Sequence, residues 1–220
     1  DVRVVAIFEG KGVREAGGLQ AIMALALHLS VAEDNSLRIG PVPEVEKLRF
    51  DAREVGETEI PANGTVPLDG IAGKALGLEA AIEPCDAAEV GLSVLCSPGG
   101  EAETVISFIP EAFTWRETMH ALKIDISKAS VREDVRGRPP EVGPMWLEEE
   151  EPLHLRVFID RSIVEVFANG RQCLTVRAYP GREDSTGFAL FARGGAARLR
   201  YLKAWQMRSV WPELKHLEGE

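Results

Sequence analysis

The stretch 153-LHLRVFIDRSIVEVFANGRQCLTVRAY-179 runs with the two-residue period of β-strands. Leu153, Leu155, Val157 and Ile159 share one face of a first strand, and 163-IVEVFA-168 is a second, rich in β-branched residues. Asn169-Gly170 then gives the hairpin signal in which both central residues take positive φ. Two carboxylates, Asp160 and Glu165, stand among apolar neighbours in this run. Such a pair can supply the acid and the nucleophile of glycoside hydrolysis. It can also be a turn residue and a strand ion pair. Asp160-Arg161-Ser162 favours a turn, since Asp and Ser bond local backbone. Glu165 lies on the face opposite Val164 and Val166, with Arg156, Arg161, Arg171 and Arg177 available across strands.

Working outward, the strands 171–179, 186–192 and 196–207 complete a meander. Upstream, short strands recur at 75–82, 91–96, 103–109 and 121–126, with Ser97-Pro98-Gly99-Gly100 as a turn. The segment 43-PEVEKLR-49 reads as a short helical connector, and Pro61, Asn63-Gly64 and Pro67 punctuate a loop-rich stretch after it. Near the N-terminus, 2-VRVVAIF-8 is strand-like. The composition of 19-LQAIMALALHLSVA-32 favours helix. Its period does not: Met23, Leu25, Leu27, Leu29 and Val31 alternate with Ala24, Ala26, His28 and Ser30, which predicts a strand. Residues 33–36 turn it into 37-LRIGPV-42, closing a hairpin. Many short strands with regular turn signals predict an all-β, antiparallel two-sheet β-sandwich. The sandwich is expected over 61–212, after a connector at 37–60 and before a polar tail at 213–220.

The chain has 220 residues, 45% of them hydrophobic, enough for a core. Its formal charge of −10 argues against a nucleic-acid partner. No apolar run approaches the ~20 residues that cross a bilayer, so no membrane partner is expected. Cys85, Cys96 and Cys173 are odd in number and form no Cys-x-x-Cys pair; they read as small buried hydrophobes, with a Cys85–Cys96 bridge left open. The four histidines lack metal spacing, and neither a phosphate-binding loop nor a dinucleotide fingerprint is present, so neither metal nor cofactor is expected. Tryptophan can stack on a sugar ring. Trp205 reads as a strand anchor, which leaves Trp115 and Trp146, in irregular segments, as carbohydrate-binding candidates.

The run 153–180, with 182-REDSTGFALFARGG-195 and 204-AWQMRSVW-211, closely resembles the C-terminal β-sandwich of the invertase, levanase and inulinase family, glycoside hydrolase family 32. The pieces 37-LRIGPVPEVEKLR-49, 79-EAAIEPCDAAEVGLSVLCSPGGEAETVISF-108 and 122-LKIDISKAS-130 resemble the same module in order. The Phe-x-Asp-Arg-Ser-x-x-Glu-Val-Phe pattern, met by Phe158 to Phe167, is the most specific part. Residues 1–36 resemble, in diverged form, the last strands of that family's propeller, so an N-terminal strand pair left over from a blade is expected. The resemblance implies that chemistry belongs to the propeller, whose Asp, Asp and Glu motifs do not appear here. It implies that no family catalytic residue maps to any position of this chain, and that Asp160 and Glu165 are structural.

The expected role is thus an accessory module of a β-fructosidase-type protein, with fructan- or sucrose-type carbohydrate as the partner class. Two rivals stand beside it. One is a carbohydrate-binding module. The other is a stand-alone glycoside hydrolase with a new carboxylate site, for which Asp160 and Glu165 lead and Asp125 and Glu103 follow. An orphan sandwich or unpartnered N-terminal strands would expose apolar surface, which predicts a homo-oligomer.

Overall fold

The computed structural model describes residues 2–9, 21–113, 118–135 and 138–210. Strand β1 (Val2–Glu9) pairs with β2 (Ala21–Val31), and β2 with β3 (Leu37–Pro41). A 3-10 helix, Pro43–Leu48, leads into β4 (Arg49–Val55), β5 (Thr58–Ile60) and β6 (Gly64–Pro67). There follow β7 (Ala75–Glu83), β8 (Glu89–Cys96), β9 (Thr104–Phe113), β10 (Thr118–Asp125) and β11 (Glu141–Pro144). The last strands are β12 (Leu153–Asp160), β13 (Ile163–Ala168), β14 (Gln172–Arg177), β15 (Gly187–Arg193) and β16 (Ala197–Met207).

Two antiparallel sheets make the sandwich. One has the order β14-β13-β12-β7-β16-β4, with β5 also on β16; the other runs β11-β10-β9-β8-β15-β6. Period-2 patterning puts alternate residues into the space between them. Leu78, Leu155, Val157, Val164 and Val166 from the first sheet meet Leu92, Ile106, Leu122, Ile124 and Leu190 from the second in one buried cluster. Each such side chain contributes roughly 1.5–3 kcal/mol by leaving water. Gly91 in β8 has a positional reason: a Cβ there would run into the carbonyl oxygen of Ile106 on β9. The Asn169-Gly170 turn forms as its residues predict, with φ of 49° and 63° and Arg171 N–H donating to the Ala168 carbonyl at 2.9 Å.

Several readings of the sequence need correction. The C-terminal meander stops at β14: β15 crosses to the other sheet, between β8 and β6, and β16 returns between β7 and β4. Alternation tells which face a residue takes, but both sheets use the same alternation, so it cannot choose the sheet. The loop-rich stretch after residue 49 holds β4, β5 and β6. β4 has no buried residue, so it carries no apolar period to detect. Strand β11 likewise lies in a stretch whose Pro139, Pro140 and Pro144 favour a loop. All three cysteines are free thiols, and Cys85 is exposed rather than buried.

The N-terminal strands follow their period and not their helical composition, and β3 closes the hairpin with Val31 opposite Leu37. One irregularity matters. Val5 pairs with Ala26 while Ile7 pairs with Met23, so Ala24 and Leu25 of β2 together oppose Ala6 of β1. This bulge shifts the facing of the strand. Met23, expected with the buried set, is 63% exposed, whereas Ala24 is buried.

Candidate functional site

The four candidate carboxylates separate into two places. Asp160 and Glu165 project from the same outer face of the first sheet, at register positions set by Phe158 opposite Glu165 and Asp160 opposite Ile163. Asp125 ends β10 and Glu103 precedes β9, both in the second sheet. Asp125 accepts the Ser127 backbone N–H at 2.8 Å, the local bond of an Asx turn. Glu103 accepts the Ser93 hydroxyl at 2.9 Å and lies 4.0 Å from the Lys128 ammonium. It borders a cleft of 690 Å³ between β6, β8 and the ends of β15, lined also by Thr65, Ser97 and Arg193. No second candidate carboxylate lines that cleft. Among the described residues, no group of three His, Cys, Asp or Glu side chains could hold a metal ion.

Asp160 is exposed and leads into the turn, with Arg161 at φ 52° and its N–H bonded to the Lys74 carbonyl at 2.6 Å. Glu165 is different. It is 4% exposed, on a strand buried at all six positions. The expected ion pair is absent among the described residues, and two of the nearby arginines pair with other carboxylates. Arg156 bonds Glu46 and Glu79, both at 3.1 Å, and Arg171 bonds Glu151 at 2.7 Å. Arg177 lies over the Tyr179 ring at 4.7 Å.

Instead, Glu165 Oε1 accepts the backbone N–H of Leu25 at 2.9 Å. Leu25 is in the β2 bulge; a bulge leaves a backbone group outside its own ladder, and the carboxylate takes it up. Oε2 is buried without a hydrogen-bond partner. Burial pushes the Glu165 carboxyl above its ordinary range; the Leu25 N–H and the Thr175 hydroxyl work the other way, and the charge of Asp160 adds to the rise. Cys173, on the neighbouring strand, is pushed up to about 12 by burial and then by Glu165. Around the carboxylate lies a second apolar cluster. Val45, Phe158 and Phe167 are buried in it, with Leu25, Leu27 and Leu48 packed against them. Phe158 and Phe167 meet edge to face, centroids 6.1 Å apart.

Beside this patch the face turns ionic. Glu79 pairs with Arg49 as well as Arg156, and the Arg49 guanidinium sits 4.1 Å above the Trp205 ring. Trp205 is therefore half-buried under a cation rather than sealed in the core. Trp146 is 51% exposed, with Arg171 5.8 Å from its ring centroid. Trp115 lies outside the described residues. Reading the sequence missed the Leu25 N–H altogether, because a bulge leaves no mark in an Ala/Leu alternation. The apolar cover over Glu165 did leave a mark: 163-IVEVFA-168 is apolar on both faces apart from Glu165, as expected of a strand buried on both sides.

A family model described as "Glycosyl hydrolases family 32 C terminal" matches residues 44–206. The chain belongs to that family. Among curated proteins, this family 32 chain is 35% identical over 129 residues to fructan 1-exohydrolase w3 of Triticum aestivum, covering 54% of this chain and 21% of the relative. It is 29% identical over 203 residues to beta-fructofuranosidase 1 of Zea mays, covering 78% of this chain and 30% of the relative. It therefore spans about a fifth to a third of those relatives' length. Among solved structures, the chain shares its fold with fructan 1-exohydrolase IIa from Cichorium intybus at TM-score 0.76 and 18% identity, over 86% of this chain and 41% of that one. An Aspergillus kawachii beta-fructofuranosidase gives TM-score 0.67 at 19% identity, over 97% and 38%.

Proposed function

We propose that this chain is the accessory β-sandwich of a fructan- or sucrose-hydrolase-like protein and carries none of that family's catalytic residues. The observation that supports this best is the employment of Glu165. Its carboxylate is buried and engaged with the N-terminal sheet. A glycosidase carboxylate must reach the glycosidic bond, and a partner carboxylate must face it across the sugar. Glu165 meets neither condition, and Asp125 and Glu103 sit on the other sheet in local turn and hydroxyl contacts. The work of this face is to hold the three-stranded N-terminal sheet against the sandwich. Relatives named as fructan exohydrolases and fructofuranosidases extend well beyond the matched region, and the proposal assigns hydrolysis to that remainder.

The test is an assay of the purified chain with sucrose, 1-kestose, inulin and levan, reading released fructose. No release above buffer is expected. Turnover that Asp160→Asn or Glu165→Gln removes would overturn the proposal and establish a carboxylate site on the sandwich.

A second reading, glycan binding, is favoured by Trp146, whose indole is half exposed and fixed beside Arg171. Titration with inulin and levan, following tryptophan fluorescence in the chain and in Trp146→Ala, tests it. A saturable change lost in the variant supports binding, and a flat response removes it.

A further inference from the structure

The outer face of the second sheet is used in two ways. Leu92, Leu190 and Ile106 point into the core, so by alternation their neighbours Ser93, Ala189 and Ser107 point outward. Towards β9 and β10 that face is closed by ion pairs. Glu89 accepts the Ser107 hydroxyl at 2.8 Å and pairs with Lys123 at 2.6 Å and Arg193 at 2.8 Å. Across β8, β15 and β6 the cross-strand row is Ser93, Ala189 and Pro67, and no long side chain stands in it. All three residues line the cleft of 690 Å³.

The walls of the cleft are hydrogen-bonded in place. Leu68 N–H donates to the Phe188 carbonyl at 2.9 Å and Gly73 N–H to the Thr186 carbonyl at 3.0 Å, which lays the segment 68–73 along β15. Ser97 N–H donates to the Ala102 carbonyl at 2.9 Å, and Ala102 N–H to the Ser97 hydroxyl at 3.0 Å, which closes the loop 97–102. A preformed cleft of this volume lies within the range of roughly 300–1,000 Å³ found for small-molecule sites. Its charges are largely answered from within: Asp184 by Arg182 at 2.7 Å, Glu103 by Lys128 at 4.0 Å and Arg193 by Glu89. Asp69 is exposed to water. The Cys96 thiol is pushed up to about 11, first by burial and then by Glu103, so it stays neutral. Asn63 accepts the Gly194 N–H at 2.9 Å through Oδ1, which leaves its amide nitrogen as a donor.

We propose that this cleft binds a neutral oligosaccharide. Thr65, Thr186 and Asn63 meet its hydroxyls, and Ala189 and Pro67 meet the less polar faces of its rings. An anion would face Asp69, Glu103 and Asp184. A polycation would compete with Lys128 and Arg182 for carboxylates that already have partners. A ligand that brings hydroxyls and no charge fits what is left. The cleft is separate from Trp146, since β6 and β11 are opposite edges of the second sheet and Trp146 follows β11. This inference rests on the fructan- or sucrose-type role proposed above for the choice of sugars. Its test reads binding and not fructose release, so either reading can fail alone.

The experiment is isothermal titration calorimetry of the 220-residue chain with 1-kestose, inulin and levan. Saturable binding of at least one of them is expected. Ala189→Leu raises the floor of the cleft from β15, and Thr65→Leu fills it from β6 and removes a hydroxyl. Each should weaken binding at least about tenfold, the factor that a steric clash or a lost hydroxyl contact supplies. The two substitutions lie on different strands, so one that fails to fold leaves the other to decide, and far-UV circular dichroism matching the parent shows which variants are folded. No binding of any of the three sugars overturns the proposal. So does an unchanged affinity in either folded variant, which would place the sugar elsewhere on the chain.

Discussion

The seven-stranded sheet is buried on both faces at β13, and the two burials differ in kind. The inner face meets the other sheet through apolar side chains, among them Leu155, Val157, Val164 and Val166. The outer face meets the N-terminal sheet through Phe158 and Phe167, and sets the Glu165 carboxylate on the same face, opposite Phe158 in register. Apolar burial is non-directional and scales with area, so the inner face supplies stability. A hydrogen bond from one particular N–H to one particular oxygen supplies position. The outer face thus fixes where β2 lies on the sandwich, and at Glu165 it does so against the desolvation of a charge.

Truncations should separate the two burials most sharply. Leu155 is 1% exposed in the inner core, and Leu155→Ala should destabilise the whole sandwich by about 4 kcal/mol, from lost transfer energy and a cavity. Urea unfolding should show one earlier transition by every probe. Phe167 is 2% exposed on the outer face, and Phe167→Ala should cost about 3 kcal/mol. Its distinctive effect should be local: limited proteolysis should reach residues 21–41 in this variant before the sandwich yields. Equal protection of that segment in both variants would show that the outer cluster does not hold the N-terminal sheet.

The same contrast explains what the sequence made legible. The inner face repeats every second residue, and β7, β12 and β13 could be read from that repeat. β2 could be read in the same way, against its helical composition. β4 is exposed or half-exposed at every position, so it offers no repeat, and β11 is four residues among prolines. The crossing of β15 to the other sheet depends on closing two layers around one core, a demand no local segment records. For the site, residue type suggested arginine as the partner of Glu165. The true partner is a backbone N–H freed by a bulge, and side-chain identity cannot announce a backbone group.

Glu165→Gln probes the latch with little change of shape. A buried carboxyl raised above its ordinary value of 4.5 binds its proton more tightly in the folded state. Its contribution to stability is therefore fully present below that value and is lost as pH rises through the raised one. Glutamine keeps an oxygen for the Leu25 N–H and never ionises. At neutral pH the variant should be more stable than the parent by about 1 kcal/mol, because the charge is no longer buried. Below pH 4.5 the two should converge. Thermal unfolding across pH 3–8 measures both ends, and a variant less stable at neutral pH would mean that the charged hydrogen bond outweighs its desolvation.

Asp160→Asn should have the smallest effect, and it separates the two accounts of this carboxylate pair. Asp160 is exposed, so water screens its charge, and its removal should change stability by no more than about 0.5 kcal/mol. Burial remains the main cause of the raised Glu165 carboxyl, but one of the influences raising it is the charge on Asp160. The substitution should therefore move the upper end of the pH window slightly down while leaving the acid end in place. A structural pair predicts only this displacement, seen in the pH dependence of the melting temperature. A catalytic pair predicts the reverse weighting, with stability unmoved and turnover lost, since a working acid and nucleophile depend on each other's protonation. An unmoved pH window would mean that the two carboxylates do not feel each other, and Glu165 would then owe its raised carboxyl to its burial.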